Sequence, residues 1–296
     1  MEKEILEKYK KAGKIHQEMK AFARKQVKEG IKALDLAEKI EGMIKEKKAG
    51  IAFPVNISIN DIAAHYAPDM NDTLTFQKGD LVKVDIGVHV DGYIADSAFS
   101  VSIGGQDNEL IKTSEDAVNQ FIKEISPGKT VGEMSELVEE VVMSHGVNPI
   151  RNLAGHSVDQ YLLHGGLSVP NGKIMSNREI KENMVVAMEV FTTRGEGWVK
   201  ESSPTLIYMF RQPKPVRLRE SRKILELIEK EFQTLPFAKR WLKSIGSPVG
   251  LQLALRELVN RGVLKEYAPL REKSNGIVAQ HEETIVVLDK PIVTTR

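Results

Sequence analysis

The chain has 296 residues, with 42 Lys and Arg against 41 Asp and Glu and a hydrophobic share of 41%, enough for a substantial core. A formal charge of +1 gives no global electrostatic reason to expect a nucleic-acid or membrane partner. With no cysteine, a disulfide framework, a thiolate metal site and a Cys nucleophile are all excluded, and no apolar run approaches the roughly 18 residues of a bilayer span.

The opening Met1-Glu2-Lys3-Glu4 is charged, unlike an export signal, and predicts a cytoplasmic protein. Residues 4–48 predict helices: Ile5, Tyr9, Ala12, Ile15 and Met19 recur at helical spacing, and a second periodic stretch runs from Leu34 through Ile40 to Ile44. Phe53-Pro54-Val55-Asn56 breaks the period and predicts a loop. From Leu81 to Ile103 the apolar residues alternate about Asp91-Gly92, which predicts a hairpin. Helices are expected at 107–125 and 131–145, the second opened by a Thr130/Glu133 capping box. Strands follow at 184–191 and 277–288. Between these two, Pro204, Pro213, Pro215, Pro236 and Pro248 punctuate helical patterns at 219–232, 236–244 and 248–261, the last ending at Gly262. The chain is therefore expected to be an α+β domain formed by 1–202 and 267–296, interrupted by a helical insertion at 203–266.

The hairpin carries the strongest chemical signal. With Asp91-Gly92 as a two-residue turn, Val88 meets Ala95, Val84 meets Phe99 and Val82 meets Val101, a coherent apolar face. The opposite face holds Lys83, Asp85, Gly87 and His89 on one strand, and Ile94, Asp96 and Ala98 on the other. Asp85 and Asp96 are then diagonal neighbours, roughly 7–8 Å apart at Cα. Two acids aimed at one spot repel unless a cation sits between them, although a solvated polar face would explain the hairpin alone equally well. Glu189 interrupts Val185-Val186-Ala187-Met188-Glu189-Val190-Phe191, a run apolar on both faces, where an unpaired carboxylate is costly. Pairing with an arginine would answer that as well as a metal. Gln280-His281-Glu282-Glu283 adds acids to the last strand, and the pattern leaves open which Glu points inward. His156 and His164 flank a short apolar segment, and either could supply a nitrogen ligand to an oxygen-rich two-metal set.

Six stretches in this order resemble the type II, archaeal-like methionine aminopeptidases of the pita-bread metallopeptidase family. They are Ala64-His65-Tyr66-Ala67-Pro68, Val84-Asp85-Ile86-Gly87, Ile94-Ala95-Asp96-Ser97-Ala98-Phe99, Gly155-His156-Ser157, Met188-Glu189-Val190-Phe191 and Gln280-His281-Glu282-Glu283-Thr284. A helical insertion before the last Glu-bearing strand is a further point of similarity. The resemblance implies a pita-bread fold, a pseudo-two-fold antiparallel sheet with flanking helices. It implies Asp85, Asp96, His156, Glu189 and Glu282 as metal ligands, with Asp96 and Glu282 bridging two divalent ions. One His among four carboxylates suits Co, Fe or Mn and tolerates Zn.

The activity so implied is removal of the initiator methionine from nascent polypeptides by a hydroxide bridging the two ions. One ion would polarise the scissile carbonyl and the other would hold the free α-amine, confining the reaction to N-termini. His164 would stabilise the oxyanion, His65 would bond the scissile nitrogen and Glu189 would shuttle a proton as well as ligate. Phe53, Leu163, Met209 and Tyr267 would line an apolar methionine pocket, with Ile207 standing where some relatives place a histidine. Asp159 stands where many relatives have a small residue, with no catalytic consequence expected.

A monomer working near the ribosome, without membrane or nucleic-acid contacts, completes the expectation. In the insertion, acids alternate with bases, as in Arg219-Glu220 and Glu229-Lys230-Glu231, so it is expected to wall the cleft rather than bind phosphates. Two rivals are a proline-specific peptidase of the same fold and a non-catalytic relative that binds nucleic acid or protein. The former usually carries a large extra N-terminal domain. The latter would make use of the winged-helix-like pattern around Phe237-Ala238-Lys239-Arg240-Trp241-Leu242-Lys243.

Overall fold

The computed structural model describes residues 1–296. In chain order it forms α1 (Lys3–Gln26), α2 (Ala33–Glu46), β1 (Gly50–Ile59), β2 (Ile62–Ala64), β3 (Leu81–Val90), β4 (Tyr93–Ser102), α3 (Asn108–Glu124) and α4 (Val131–Ser144). The chain continues through β5 (Asn148–Pro149), β6 (Ala154–Val158), β7 (Ser168–Pro170), β8 (Val185–Thr193), β9 (Val199–Glu201), β10 (Ile207–Phe210) and α5 (Arg219–Leu227). After α5 come β11 (Phe237–Ala238), α6 (Pro248–Asn260), β12 (Leu264–Tyr267), β13 (Leu270–Glu272), β14 (Val278–Val286) and β15 (Ile292–Val293).

Two half-sheets, each backed by a helix pair, make the body of the molecule. One has the order β1-β3-β4, and the other β15-β14-β8-β6-β7. Ile15, Met19, Ile40 and Ile44 of α1 and α2 bury Val82, Val84, Val88 and Phe99, the apolar hairpin face expected from the alternation. Leu110, Phe121, Val138 and Val142 of α3 and α4 cover Val186, Met188, Val190 and Ile285 in the same way. Both helix pairs lie on outer faces, so the acid-bearing faces of the two half-sheets turn inward.

The half-sheets meet along β4 and β14, and hydroxyls stitch the seam. Ser100 Oγ donates to Gln280 O at 2.8 Å and accepts from Gln280 N at 2.8 Å. Ser97 Oγ donates to Glu282 O at 2.6 Å, while Thr284 Oγ1 accepts from Asp96 N at 2.8 Å and donates to Asp96 O at 2.6 Å. Small hydroxylated residues of the two strands thereby fix Asp96 and Glu282 relative to each other.

The hairpin register agrees pair by pair with the sequence expectation, including Asp85 opposite Ala98. Asp91 (φ 51°) and Gly92 (φ 87°) both take the left-handed conformation, as a type I′ turn requires. Thr130 and Glu133 form the expected capping box.

Two local expectations fail. The segment Phe53-Pro54-Val55-Asn56 is the middle of β1, not a loop. The ladder to β3 shifts register between Ile51 and Phe53 and again between Phe53 and Asn56, so Pro54 sits where its missing N–H is tolerated. The predicted helix at 236–244 is also absent. Phe237 and Ala238 pair instead with Tyr208 and Ile207, and only one tight turn, Lys239–Leu242, follows.

That pairing makes the 203–266 region less helical than expected, because β11-β10-β12 forms a three-stranded sheet. Its core is separate, built from Tyr208, Ile224, Phe237, Leu242, Leu255 and Leu258 with their neighbours. The region is fastened to α2 by a buried pair: the Arg240 guanidinium bonds Glu41 Oε1, and Trp241 Nε1 donates to Glu41 Oε2 at 2.9 Å. Removing one partner of such a pair leaves an uncompensated buried charge, so Arg240→Leu should cost about 3 kcal/mol. A denaturation midpoint in urea equal to that of wild type would contradict this.

Candidate active site

The inward faces of the two half-sheets enclose a cleft lined by Asp85, Asp96, His156, Glu189 and Glu282, one residue from each of β3, β4, β6, β8 and β14. Glu189 and Glu282 are direct cross-strand partners. Asp85 and Asp96 are the diagonal pair of the hairpin. Adjacent strand residues point to opposite faces, which answers the open choice between the two glutamates. Glu282 faces the cleft, whereas Glu283 faces Lys20 Nζ at 2.8 Å, Ser97 and Arg296 on the far side.

The electrostatics of the cleft are unfavourable for the protein alone. Burial pushes all four acids up, Asp85 to about 7 and the other three well above the usual carboxylate range. Repulsion among them adds to burial for Asp96, Glu189 and Glu282. No lysine or arginine lines the cleft. Asp85 Oδ1, Asp96 Oδ1 and Glu282 Oε1 are buried without a hydrogen-bond partner. His156 Nε2 lies 3.7 Å from Asp96 Oδ2, too long for a hydrogen bond, and burial lowers this histidine to about 3. Atoms of Asp96, His156 and Glu282 converge within 4.8 Å of one another. Hard oxygens plus one neutral imidazole, with unpartnered atoms on Asp85, Asp96, Glu282 and His156, fit divalent cations.

Around this acidic floor stand the remaining expected residues. Phe53, His65, Leu163, His164, Ile207 and Tyr267 line the cleft, as do Asn56, Ala64 and Pro236. Met209 does not line it; it packs behind, against Ile207 and Tyr267, and Tyr267 Oη donates to its sulfur at 3.4 Å. The Phe53 ring covers Gly87, where a Cβ would lie 2.3 Å from the ring, so the hairpin needs glycine there. His164 stacks on Tyr267 with centroids 6.0 Å apart and sits 4.5 Å from the His156 ring. His65 meets Tyr267 edge-on at 5.4 Å.

The sequence reading missed two polar groups beside the acids. Asn56 pairs with Asp85 across β1 and β3, and was hidden by the loop assignment. Gln280 Nε2 donates to Glu189 Oε2 at 3.2 Å, and its amide also holds Asp85 down against burial. Its position two residues before Glu282, on the same strand face, was the available signal.

Comparison with known proteins agrees with this geometry. Residues 7–287 match the model of metallopeptidase family M24. The chain is 43% identical over 297 residues to a methionine aminopeptidase of Methanocaldococcus jannaschii, covering 100% of both chains. It is 45% identical over 286 residues to a methionine aminopeptidase of Pyrococcus abyssi, covering 96% of this chain and 97% of that one. Among solved structures, a thermophilic Arx1 superimposes with a TM-score of 0.89 at 20% identity, covering 99% of this chain and 91% of that one, which speaks to the fold alone. The fold is the expected α+β pita-bread arrangement, and the chain belongs to metallopeptidase family M24.

Proposed function

We propose that this chain is a metal-dependent methionine aminopeptidase that removes the N-terminal methionine from polypeptides. The observation that carries the reading is a single cleft lined by four mutually repelling carboxylates, Asp96 and Glu282 buried and Asp85 and Glu189 half-buried, and one neutral histidine, three of the acids with orphaned oxygens. A fold with no catalytic use for cations gains nothing from such a cost. Near-full-length relatives of that name support the same reading.

Asp85, Asp96, His156, Glu189 and Glu282 would hold two divalent ions. Bound there, Co, Fe, Mn or Zn would supply Lewis acidity, activating water and polarising the scissile carbonyl. Glu189 stands among the acids with Gln280 on Oε2, so it can take and return a proton at its carboxylate. His65 Nδ1 lies 3.3 Å from Ala268 O. A carbonyl only accepts, so Nδ1 carries the proton and Nε2 is left to accept from the scissile N–H. His164 approaches from the facing loop to donate to the developing oxyanion.

Residues 203–266 form an inserted unit that walls the cleft: Ile207, Pro236 and, at its rejoining edge, Tyr267 face the substrate side chain. An unbranched thioether suits this apolar wall. Tyr267→Ala should raise KM for Met peptides several-fold with metal content unchanged. Met209→Ala should do so more weakly, because Met209 acts only from behind Ile207 and Tyr267. Unchanged KM in both variants would remove the insertion from the pocket. The proposal extends to a cytoplasmic monomer meeting its substrates as they leave the ribosome.

The test is to strip the protein of metal, add back Co, Fe, Mn or Zn singly, and follow both bound metal and methionine release from a Met-Ala-Ser peptide. Two ions per chain with turnover support the proposal. A protein that binds no stoichiometric metal, or releases no methionine with any of the four, is instead a non-catalytic relative.

A further inference from the structure

The segment between β6 and β7 delivers Leu163 and His164 to the cleft but has almost no regular structure of its own. Within it, Asp159 and Leu162 exchange backbone bonds of 2.9 and 3.0 Å, and Gly165 N donates to Ser157 O at 2.6 Å. At its tip, Tyr161 is held at a φ of 52°, a left-handed conformation that costs a non-glycine residue about 1 kcal/mol or more. Such strain persists only where the surroundings impose it.

The surroundings are two separate parts of the molecule, the β3–β4 hairpin and the insertion. Tyr161 N donates to Gly92 O at 2.9 Å, in the turn between β3 and β4. Gln160 Nε2 donates to Asp91 O in the same turn, also at 2.9 Å. From the insertion, Thr234 Oγ1 donates to the Tyr161 carbonyl. The Tyr161 ring lies edge-on to His89 at 5.5 Å and directly over Gly92, where a Cβ would come within 2.3 Å of it. None of Tyr161, Gly92, His89 or Thr234 lines the cleft.

We infer that Tyr161 is a positioning residue: clamped between the hairpin turn and the insertion, it sets the direction from which His164, three residues on, enters the cleft. The inference rests on the reading above that His164 takes part in hydrolysis. It also gives the insertion a second role, because Thr234 carries its placement to the catalytic loop.

A double-mutant cycle tests this, using the metal-loaded enzyme and a Met-Ala-Ser peptide. Tyr161→Ala should lower kcat about tenfold, within the up to roughly 10² lost when a reacting group shifts by 1 Å. KM and bound metal should change little. Tyr161→Phe keeps the ring and should restore near wild-type turnover. Thr234→Val, at an exposed position, should show a smaller loss of about threefold and serves the same cycle should Tyr161→Ala not fold. Added to His164→Ala, either substitution should cause no further loss, because the group it positions is gone. Additive losses would overturn the inference, as would wild-type kinetics for both variants while His164→Ala is impaired. Wild-type turnover by His164→Ala itself would instead overturn the catalytic role of His164, and the inference with it.

Discussion

Asp96→Asn and Glu282→Gln should each bring methionine release below about 1% of wild type and reduce bound metal to at most one ion. Groups that merely support a ligand are typically worth about 10–100-fold, and on the proposed assignment these substitutions remove a ligand outright. Both replacements preserve volume, so packing does not explain the loss. Asp96 stays bonded through its backbone to Thr284, and the Glu282 carbonyl to Ser97, which keeps the seam closed. The metal-free proteins should respond in the opposite sense. Each substitution removes a buried acid from a group of four that repel one another, so the metal-free variants should melt above metal-free wild type, while wild type gains more on metal addition. Metal content by mass spectrometry, peptide kinetics and melting curves with and without metal read all three effects. Near wild-type turnover with two ions bound in either variant would remove that residue from the ligand set.

The asymmetry between what the sequence revealed and what it hid follows from the range of the interactions. The β3–β4 hairpin was legible to the residue because its register is set locally, by alternation and by a turn that needs two positive φ angles. Asp85 and Asp96 stood out against that alternation, as Glu189 did against an apolar run. The β1 strand was missed because proline and the following polar residue imitate a loop. Only the non-local ladder to β3, with its two register shifts, shows that Pro54 rides an irregular strand. The same applies to Phe237-Ala238, whose partners Tyr208 and Ile207 lie about 30 residues upstream. No local periodicity records such a pairing, and the neighbouring leucine and tryptophan fit a helix equally well. The meeting of β4 with β14 was likewise invisible, although Ser97, Ser100 and Thr284 are its trace in the sequence. Choosing between Glu282 and Glu283 required knowing which face of β14 meets the cleft, and that depends on Lys20 and Arg296 from opposite ends of the chain.

The two histidines facing the acidic floor should behave unlike the ligands. His65→Ala and His164→Ala should keep their metal, because neither belongs to the converging set of Asp96, His156 and Glu282. Each should nonetheless lose roughly 10²–10³ in kcat/KM, the scale of one transition-state hydrogen bond in a water-poor site. The losses should differ in kind. His65 sits at a φ of 64°, a region histidine enters more readily than most residues, and its Nδ1 contact with Ala268 O fixes the ring so that Nε2 accepts. Its partner N–H is present in the substrate before reaction, so part of the His65→Ala loss should appear in KM. His164 answers a charge that exists only as the carbonyl is attacked, so its loss should fall almost wholly on kcat. His164 is also stacked on Tyr267, which lies at the pocket wall. His164→Gln keeps a donor without the ring and should recover part of kcat while leaving KM alone. Loss of an ion in the His164→Ala variant, with His156→Ala still fully loaded, would mean that the two histidines hold each other's roles.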